Sequence, residues 1–253
     1  MEQVVFNWKS VYRKIAVCLI SIMLLILLIT IKHHAVSFLN KNIIYLYISV
    51  SLILISTIPI LSFNKDYVLY YQKIDLIMIL FIFILVIQSI FSFAFFKASI
   101  DGRSMYPTLK NDETVIVKVT KNVERGDVVV LYVDKNVNTL AHGLRNNDLL
   151  VKRVIGVSGD NVYAIDGIIY INGNPIDDYT TAYTNDFDLK SIIDCTKGID
   201  DVTTIPEGYV LVLGDNRSVS NDSRYIGLIS TSQLLGKAIY KMNDNILKWS
   251  KIE

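Results

Sequence analysis

The chain has 253 residues, of which 52% are hydrophobic, with a mean hydropathy of +0.40 and a formal net charge of +1 at pH 7. This average is too apolar for a single soluble domain, and the absence of a basic stripe or an arginine-rich run excludes a nucleic-acid-binding protein. Residues 1–97 hold eight Lys/Arg and three Asp/Glu, whereas residues 98–253 hold 17 and 21. We therefore predict a membrane domain at 1–97 and a globular domain at 98–253.

Three long apolar runs lie in the first domain, at Ile15–Ile31, Ile43–Phe63 and Leu76–Phe96. Each is close to the length of about 20 residues that crosses the hydrocarbon of a bilayer as a helix. The first run is followed by Lys32-His33-His34 and by no convincing small-x-small cleavage site, so it is predicted to be a retained anchor. The sequence thus predicts three transmembrane helices.

The cations of the short loops predict the orientation of these helices, because the inner side of a membrane protein carries the excess of Lys and Arg. With the N-terminus inside, the outer loop holds Lys32 and Lys41, and the inner side holds Lys9, Arg13, Lys14, Lys65 and Lys73. Three crossings then place residues 98–253 on the extracytoplasmic side.

The second domain is predicted to be mostly β, because its apolar runs are short and rich in Val, Ile and Tyr. Asp166-Gly167 between two of them is a strong hairpin signal. Residues Thr180–Thr204 are polar and are predicted to form an exposed, irregular insertion. Only Ser232–Tyr240 resembles a short helix. The predicted strands are Val115–Val119, Val128–Val133, Leu149–Ile155, Val162–Ile165, Ile168–Ile171 and Tyr209–Leu213.

A candidate nucleophile, Ser104, lies in the stretch Asp101–Leu109, a few residues after the third apolar run. Pro107 restricts its own φ and favours an extended Tyr106, so the loop that carries Ser104 is predicted to be rigid. Such a string by itself is more typical of an ordinary turn. Its position predicts a serine presented at the boundary between lipid and water.

A serine protease of the Ser-His-Asp type also needs a histidine base, and the second domain has only His142, in a polar stretch typical of a surface loop. His142 and Cys195 are too few to form a metal site, and Cys18 lies in the first apolar run. The sequence therefore implies no metal and requires another base.

Lys152 is the candidate base. Strand alternation places it on one face with Leu150 and Val154, where burial would lower the pKa of its amine towards the working range of a base. The alternative is an edge-strand lysine that extends to solvent and blocks aggregation.

The stretch Gly214–Gly227 follows the last predicted strand and contains two Asp, two Arg and three Ser. A solvated surface loop is the usual explanation of such a composition. Here it follows Ser104 and Lys152 in the same chain, which favours a role in one site.

Together these motifs resemble type I signal peptidases, the membrane-anchored Ser/Lys proteases. Ser104–Leu109 is similar to the nucleophile box of the family, Gly126–Val130 to its first core strand and Lys152–Asp160 to its general-base box. Gly214–Gly227 is similar to its closing box and Gly236–Ala238 to its C-terminal run. The resemblance implies transmembrane helices followed by a mostly β catalytic domain of the signal-peptidase type.

The resemblance also implies roles for single residues. Ser104 would attack the scissile carbonyl, Lys152 would accept its proton, and Ser220 would hydrogen-bond the Lys152 amine. The backbone N–H of Ser104 would bind the oxyanion. An ion-pair network would stiffen the site, with Asp215 nearby, and its members would be Asp222, Arg224 and Arg153.

The sequence departs from the family pattern at two positions of this domain. Gly102 stands where some members carry a serine that completes the oxyanion hole, so that contribution would come from the backbone. Ser158 stands where proline is usual.

The function implied is cleavage of signal peptides from exported preproteins at the outer face of a cell membrane, with no cofactor. The implied partners are preprotein signal peptides, the lipid bilayer and the secretion machinery, and a composition rich in Ile, Asn and Lys favours a bacterial source. One alternative is a peptidase dedicated to one or a few membrane-associated substrates. Another is a non-catalytic membrane protein that retains the fold as a binding module.

Overall fold

The structure, a computed structural model, describes residues 8–31, 45, 48–49, 67–140, 143–176, 184–200, 202–242 and 249–252. The chain divides into two compact units, Met1–Phe96 and Lys97–Glu253. The predicted run Ile43–Phe63 lies almost wholly outside the described residues, and so does His142.

The described part of the first unit consists of two helices, α1 (Trp8–Ile31) and α2 (Tyr67–Ala94). The Lys14 ammonium lies 2.5 Å from the Asp75 carboxylate, an ion pair between these helices. Many large apolar side chains on both helices remain exposed, including Met23 and Phe93, at 62% and 63%. Among the residues that the structure describes, no helix meets the length and apolarity required of a membrane span.

The second unit consists mainly of β-strands, which are β1 (Phe95–Ser99), β2 (Thr114–Lys118), β3 (Val128–Tyr132), β4 (Leu149–Gly156), β5 (Val162–Ile165), β6 (Ile168–Ile171), β7 (Asn174–Pro175), β8 (Tyr209–Leu213), β9 (Ile229–Ser230), β10 (Leu234–Met242) and β11 (Trp249–Lys251). Its large antiparallel sheet has the strand order β1-β2-β10-β3-β4-β8-β9, with β11 paired to β10. The mostly β domain predicted from the sequence is thereby confirmed.

A second, three-stranded sheet has the order β5-β6-β7. Asp166 and Gly167 connect β5 to β6 with φ values of 52° and 80°. Positive φ at both central residues is the requirement of a type I′ turn, which explains why this pair predicts a hairpin.

The centre of the large sheet is covered on both faces, because alternate residues of β4 and β8 enter different apolar clusters. Val154 and Val212 pack with β3 and β9 residues in one cluster. Ile155 and Leu213 pack in the other, against the small sheet. Both faces of β4 are therefore buried, and any charged residue there is withdrawn from water.

The predicted helix at Ser232–Tyr240 is wrong. A 3₁₀ turn at Thr231–Gln233 is followed directly by β10. The alternation of buried Leu234, Gly236 and Ala238 has the period of a strand. Gly236 also permits close strand pairing, since a Cβ there would lie 2.2 Å from the Lys118 carbonyl oxygen.

The segment Thr180–Thr204 is more ordered than predicted wherever the structure describes it. It contains helix α3 (Leu189–Asp194), whose N-terminus is capped by the Asp188 side chain. Leu189, Ile192 and Ile193 are buried in the cluster beneath the small sheet. Three apolar residues at helical spacing inside a polar segment were the signal for this helix.

Candidate active site

Ser104 is held in a loop that is anchored by its apolar neighbours. Met105 and Leu109 are fully buried, and the Leu109 N–H donates to the Met105 carbonyl oxygen at 2.8 Å. The peptide bond between Tyr106 and Pro107 is cis. The Ser104 carbonyl oxygen accepts a hydrogen bond from the Asn216 N–H at 2.9 Å, so the loop at 214–220 fixes the backbone of the candidate nucleophile.

Lys152 lies within the sheet and points at Ser104. It is only 2% exposed, and its Nζ is 2.9 Å from Ser104 Oγ. Its strand, β4, is paired with β3 on one side and β8 on the other, so the edge-strand alternative is wrong. The apolar neighbours that predicted a buried lysine surround it on the same face of the strand.

Burial sets the protonation of this amine. The pKa of Lys152 is lowered from 10.5 to about 8, mainly because burial removes water from the ammonium. Asp222 and Asp215 oppose this shift by favouring the charged form, and Arg224 adds to it. A neutral amine is therefore available within reach of the Ser104 hydroxyl slightly above neutral pH.

Arg153, the next residue of β4, points to the opposite face and is 1% exposed. Its Nε and Nη2 donate to the two carboxylate oxygens of Asp215 at 2.9 and 2.7 Å. Its Nη1 donates to the Gly126 carbonyl oxygen at 2.8 Å, and Nη2 is 3.3 Å from Thr108 Oγ1. This one guanidinium thus connects the strand that carries the lysine to the loop that carries the serine.

Asp222 pairs with Arg224 and not with Arg153. Its carboxylate accepts from Arg224 Nε and Nη2 at 2.8 and 2.9 Å, and from the Gly214 N–H at 3.0 Å. The predicted contact of Asp222 with Arg224 is therefore present, whereas Arg153 pairs with Asp215 and does not join them in one network. Which carboxylate each arginine selects depends on the path of the loop, which the sequence pattern does not specify.

Ser220 is brought to the same place, but without the predicted contact. Its buried Oγ has no hydrogen-bond partner within the described parts of the chain, so the predicted bond to Lys152 is not formed in this structure. A Cβ on Gly214 would lie 2.2 Å from Ser220 Oγ and 2.5 Å from the Ser104 carbonyl oxygen. Glycine at 214 therefore allows the closing loop to approach the nucleophile.

The model of the family described as signal peptidase, peptidase S26, matches residues 73–242. The chain belongs to this signal peptidase family. Membership makes it a serine endopeptidase, and both the family and the enzyme class predicted from the sequence are confirmed.

The chain is also similar to individual signal peptidases. The chain is 38% identical to signal peptidase IB of Staphylococcus aureus over 154 residues, which cover 56% of this chain and 75% of that protein. It is 30% identical to signal peptidase I of Bacillus caldolyticus over 175 residues, 64% of this chain and 86% of that protein. A solved signal peptidase I from Enterococcus faecalis is 29% identical over 46% of this chain and 96% of its own, with a TM-score of 0.35.

Sequence reasoning missed several residues that position this signal-peptidase site. Thr108 Oγ1 accepts a hydrogen bond from Arg153 Nη2. The Thr108 carbonyl oxygen accepts one from Lys241 Nζ at 2.7 Å. Asn216 holds Ser104 through a backbone N–H, for which no side-chain pattern exists. Arg217 is one of the two arginines of the stretch Gly214–Gly227, and its burial, at 2% exposure, is not indicated by any sequence pattern.

Position 102 is a glycine with φ of +94°, a conformation that L residues rarely adopt. Its N–H donates to Asn111 Oδ1 at 2.7 Å. In the parts of the chain that the structure describes, no group of three His, Cys, Asp or Glu residues is arranged to hold a metal ion.

Proposed function

We propose that the protein cleaves signal peptides from exported preproteins by a Ser104/Lys152 dyad. The observation that carries the proposal is the distance of 2.9 Å between Lys152 Nζ and Ser104 Oγ, with the lysine buried and its pKa lowered to about 8. A nucleophile within hydrogen-bond reach of a group that is partly neutral near physiological pH is the arrangement that covalent catalysis requires.

The reaction proceeds in two stages. The neutral Lys152 amine accepts the hydroxyl proton of Ser104 as Oγ bonds to the scissile carbonyl carbon. The carbonyl oxygen becomes an oxyanion, and the backbone N–H of Ser104 is its proposed donor, a contact worth several kcal/mol where water is excluded. The C–N bond then breaks, and the Lys152 ammonium returns the proton to the leaving amine.

In the second stage, water loses a proton to Lys152 and attacks the acyl-enzyme. The ester bond breaks, the proton returns to Ser104 Oγ, and the signal peptide leaves with a new carboxylate. The pairs Arg153–Asp215 and Asp222–Arg224 are assigned to holding the two loops in register, and Ser220 to the Lys152 amine once substrate has closed the site.

We infer that the enzyme is a multi-pass protein of the cell membrane with its catalytic domain on the extracytoplasmic side. The three apolar runs, the excess of inner cations and the exposed apolar side chains of α1 and α2 support this inference. The lipid bilayer and the secretion machinery are then its partners. The position of Ser104 shortly after the last run matches the boundary where the apolar part of a signal peptide ends.

The activity of the full-length chain in lipid vesicles on a panel of unrelated preproteins tests this function. We expect cleavage after a small-x-small motif in several of them, and loss of cleavage when a bulky residue replaces the small residue before the cut. Cleavage of a single preprotein would favour the dedicated peptidase instead. No cleavage of any preprotein by the folded enzyme would contradict the proposal.

The lowered pKa of Lys152 gives a pH prediction. Because only the neutral amine can accept the serine proton, kcat/KM should fall about tenfold per unit below a pKa of about 8 and level off above it. Rates measured with one preprotein between about pH 6 and pH 10 test this. A profile that is flat across this range, or that rises only near the ordinary lysine pKa of 10.5, would contradict a buried lysine base.

A further inference from the structure

We propose that Thr184 is a positioning residue for catalysis, because it holds the loop 214–220 against Ser104 through Arg217. The inference rests on the proposed function. It also assigns a role to the described part of the segment Thr180–Thr204, which the sequence analysis predicts to be an exposed insertion.

The contact is direct and fully buried. Thr184 Oγ1 accepts a hydrogen bond from Arg217 Nη1 at 2.6 Å, and the two residues are 0% and 2% exposed. A guanidinium removed from water requires acceptors for its N–H groups, so the loss of one acceptor is costly at such a site. Thr184 is therefore one of the acceptors that fix this side chain.

Arg217 in turn contacts the first residue of the loop and Arg224, which follows the loop. Its Nε donates to the Gly214 carbonyl oxygen at 3.1 Å, and its own carbonyl oxygen accepts from Arg224 Nη2 at 2.8 Å. Gly214 packs directly on the Ser104 carbonyl oxygen, and the intervening Asn216 N–H donates to that oxygen. Movement of Arg217 is thus transmitted to the backbone of the nucleophile by two contacts.

The same segment also contacts the end of the stretch Gly214–Gly227 and the residue after it. The Leu228 N–H donates to Thr196 Oγ1 at 2.8 Å. Gly227, with φ of +86°, is packed so closely that a Cβ would lie 2.4 Å from Thr196 Oγ1. Between Thr184 and Thr196, the core residues of α3 fix the segment in the hydrophobic interior. Residues 184–196 therefore support the stretch Gly214–Gly227, which carries Ser220 and Asp222.

The test compares Thr184→Val, which replaces the hydroxyl by a methyl group, with Thr184→Ser, which keeps it. We expect Thr184→Val to lower kcat by about tenfold or more with KM unchanged, because small displacements of reacting groups reduce rates strongly. Thr184→Ser should have the kcat of the wild type, because it keeps the hydroxyl. Ser191→Ala is the matched control, since its hydroxyl lies in the same segment and donates to the Asp188 carbonyl oxygen three residues earlier.

A pH profile separates positioning from a mere loss of folded enzyme. Asp222, Asp215 and Arg224 are the charged groups that act on the Lys152 amine, and loosening their loop admits water to it. The acid limb of kcat/KM should therefore move to higher pH in Thr184→Val, whereas partial unfolding leaves its midpoint unchanged.

If the full-length wild type cleaves preprotein and Thr184→Val matches it in kcat and in pH midpoint, the role of Thr184 is refuted. If Thr184→Val does not fold, an altered kcat or midpoint in Thr184→Ser refutes it, and wild-type values there support it. A wild type that does not cleave refutes the proposed function itself.

Discussion

Ser104→Ala and Lys152→Met, made separately in the full-length chain, are each expected to lower kcat for preprotein cleavage by about 10³-fold or more. Alanine removes the atom that bonds to the scissile carbon, and methionine keeps the volume of the lysine while removing its proton acceptor. Lys152 Nζ is 2.9 Å from Ser104 Oγ, so the two groups act on one proton. The double variant should therefore be no slower than either single variant, because effects of residues that act as a unit are not additive.

Gel-resolved cleavage of one preprotein, with thermal unfolding of each variant, measures these effects. Lys152→Met also removes a buried charge, so the variant is expected to be at least as stable as the wild type, and a loss of rate could not be attributed to unfolding. Lys237→Met serves as the matched control, since Lys237 lies on β10 and forms a partly exposed ion pair with Asp127. Residual cleavage by Lys152→Met above a tenth of the wild-type rate would reject Lys152 as the base.

The sequence predicts the strands of the second unit well, because their residues carry local signals. β5, β6 and β8 begin and end where the runs of Val, Ile and Tyr do. It fails at β10, where Leu-Leu-Gly-Lys-Ala can be read with either period and where only pairing with β2 and β3 selects a strand. The local pattern alone does not contain that information, since both partners are more than a hundred residues away.

The sequence does not predict which charged residues pair with each other, for the same reason. Lys152 and Arg153 are neighbours, and strand alternation sends them to opposite faces, so one meets Ser104 and the other meets Asp215. The sequence identifies all these residues as members of one site. Which carboxylate meets which cation depends on the register of β4 against β8, in which Arg153 lies opposite Leu213, and on the turn that follows.

This arrangement separates the two tasks of β4. The face with Lys152 can keep a neutral amine, because burial removes water from the ammonium. The guanidinium of Arg153 at the same time donates to Thr108 and Gly126. The loop that carries Ser104 is therefore bound to β4, the same strand that carries Lys152. Sites carried on rigid strands hold catalytic distances better than sites carried on loops alone.

The buried pair Arg153–Asp215 gives the second large effect. Asp215→Ala is expected to lower the free energy of unfolding by about 3–5 kcal/mol, because it leaves Arg153 charged, 1% exposed and without its carboxylate. Denaturant unfolding of the full-length chain in detergent measures this, with Asp200→Ala at an exposed position as the control. The free energy of unfolding of Asp215→Asn should lie between those of the wild type and Asp215→Ala, since an amide offers the guanidinium one acceptor oxygen instead of two.

The same variants separate stability from catalysis at Lys152. The Asp215 carboxylate raises the pKa of Lys152, so its removal should move the acid limb of kcat/KM to lower pH in both Asp215→Ala and Asp215→Asn. This direction is opposite to that expected of Thr184→Val, in which the amine gains water. A destabilised Asp215→Ala enzyme whose midpoint stays at about 8 would mean that Asp215 acts on the fold alone. An unchanged free energy of unfolding in Asp215→Ala would contradict the buried ion pair as a source of stability.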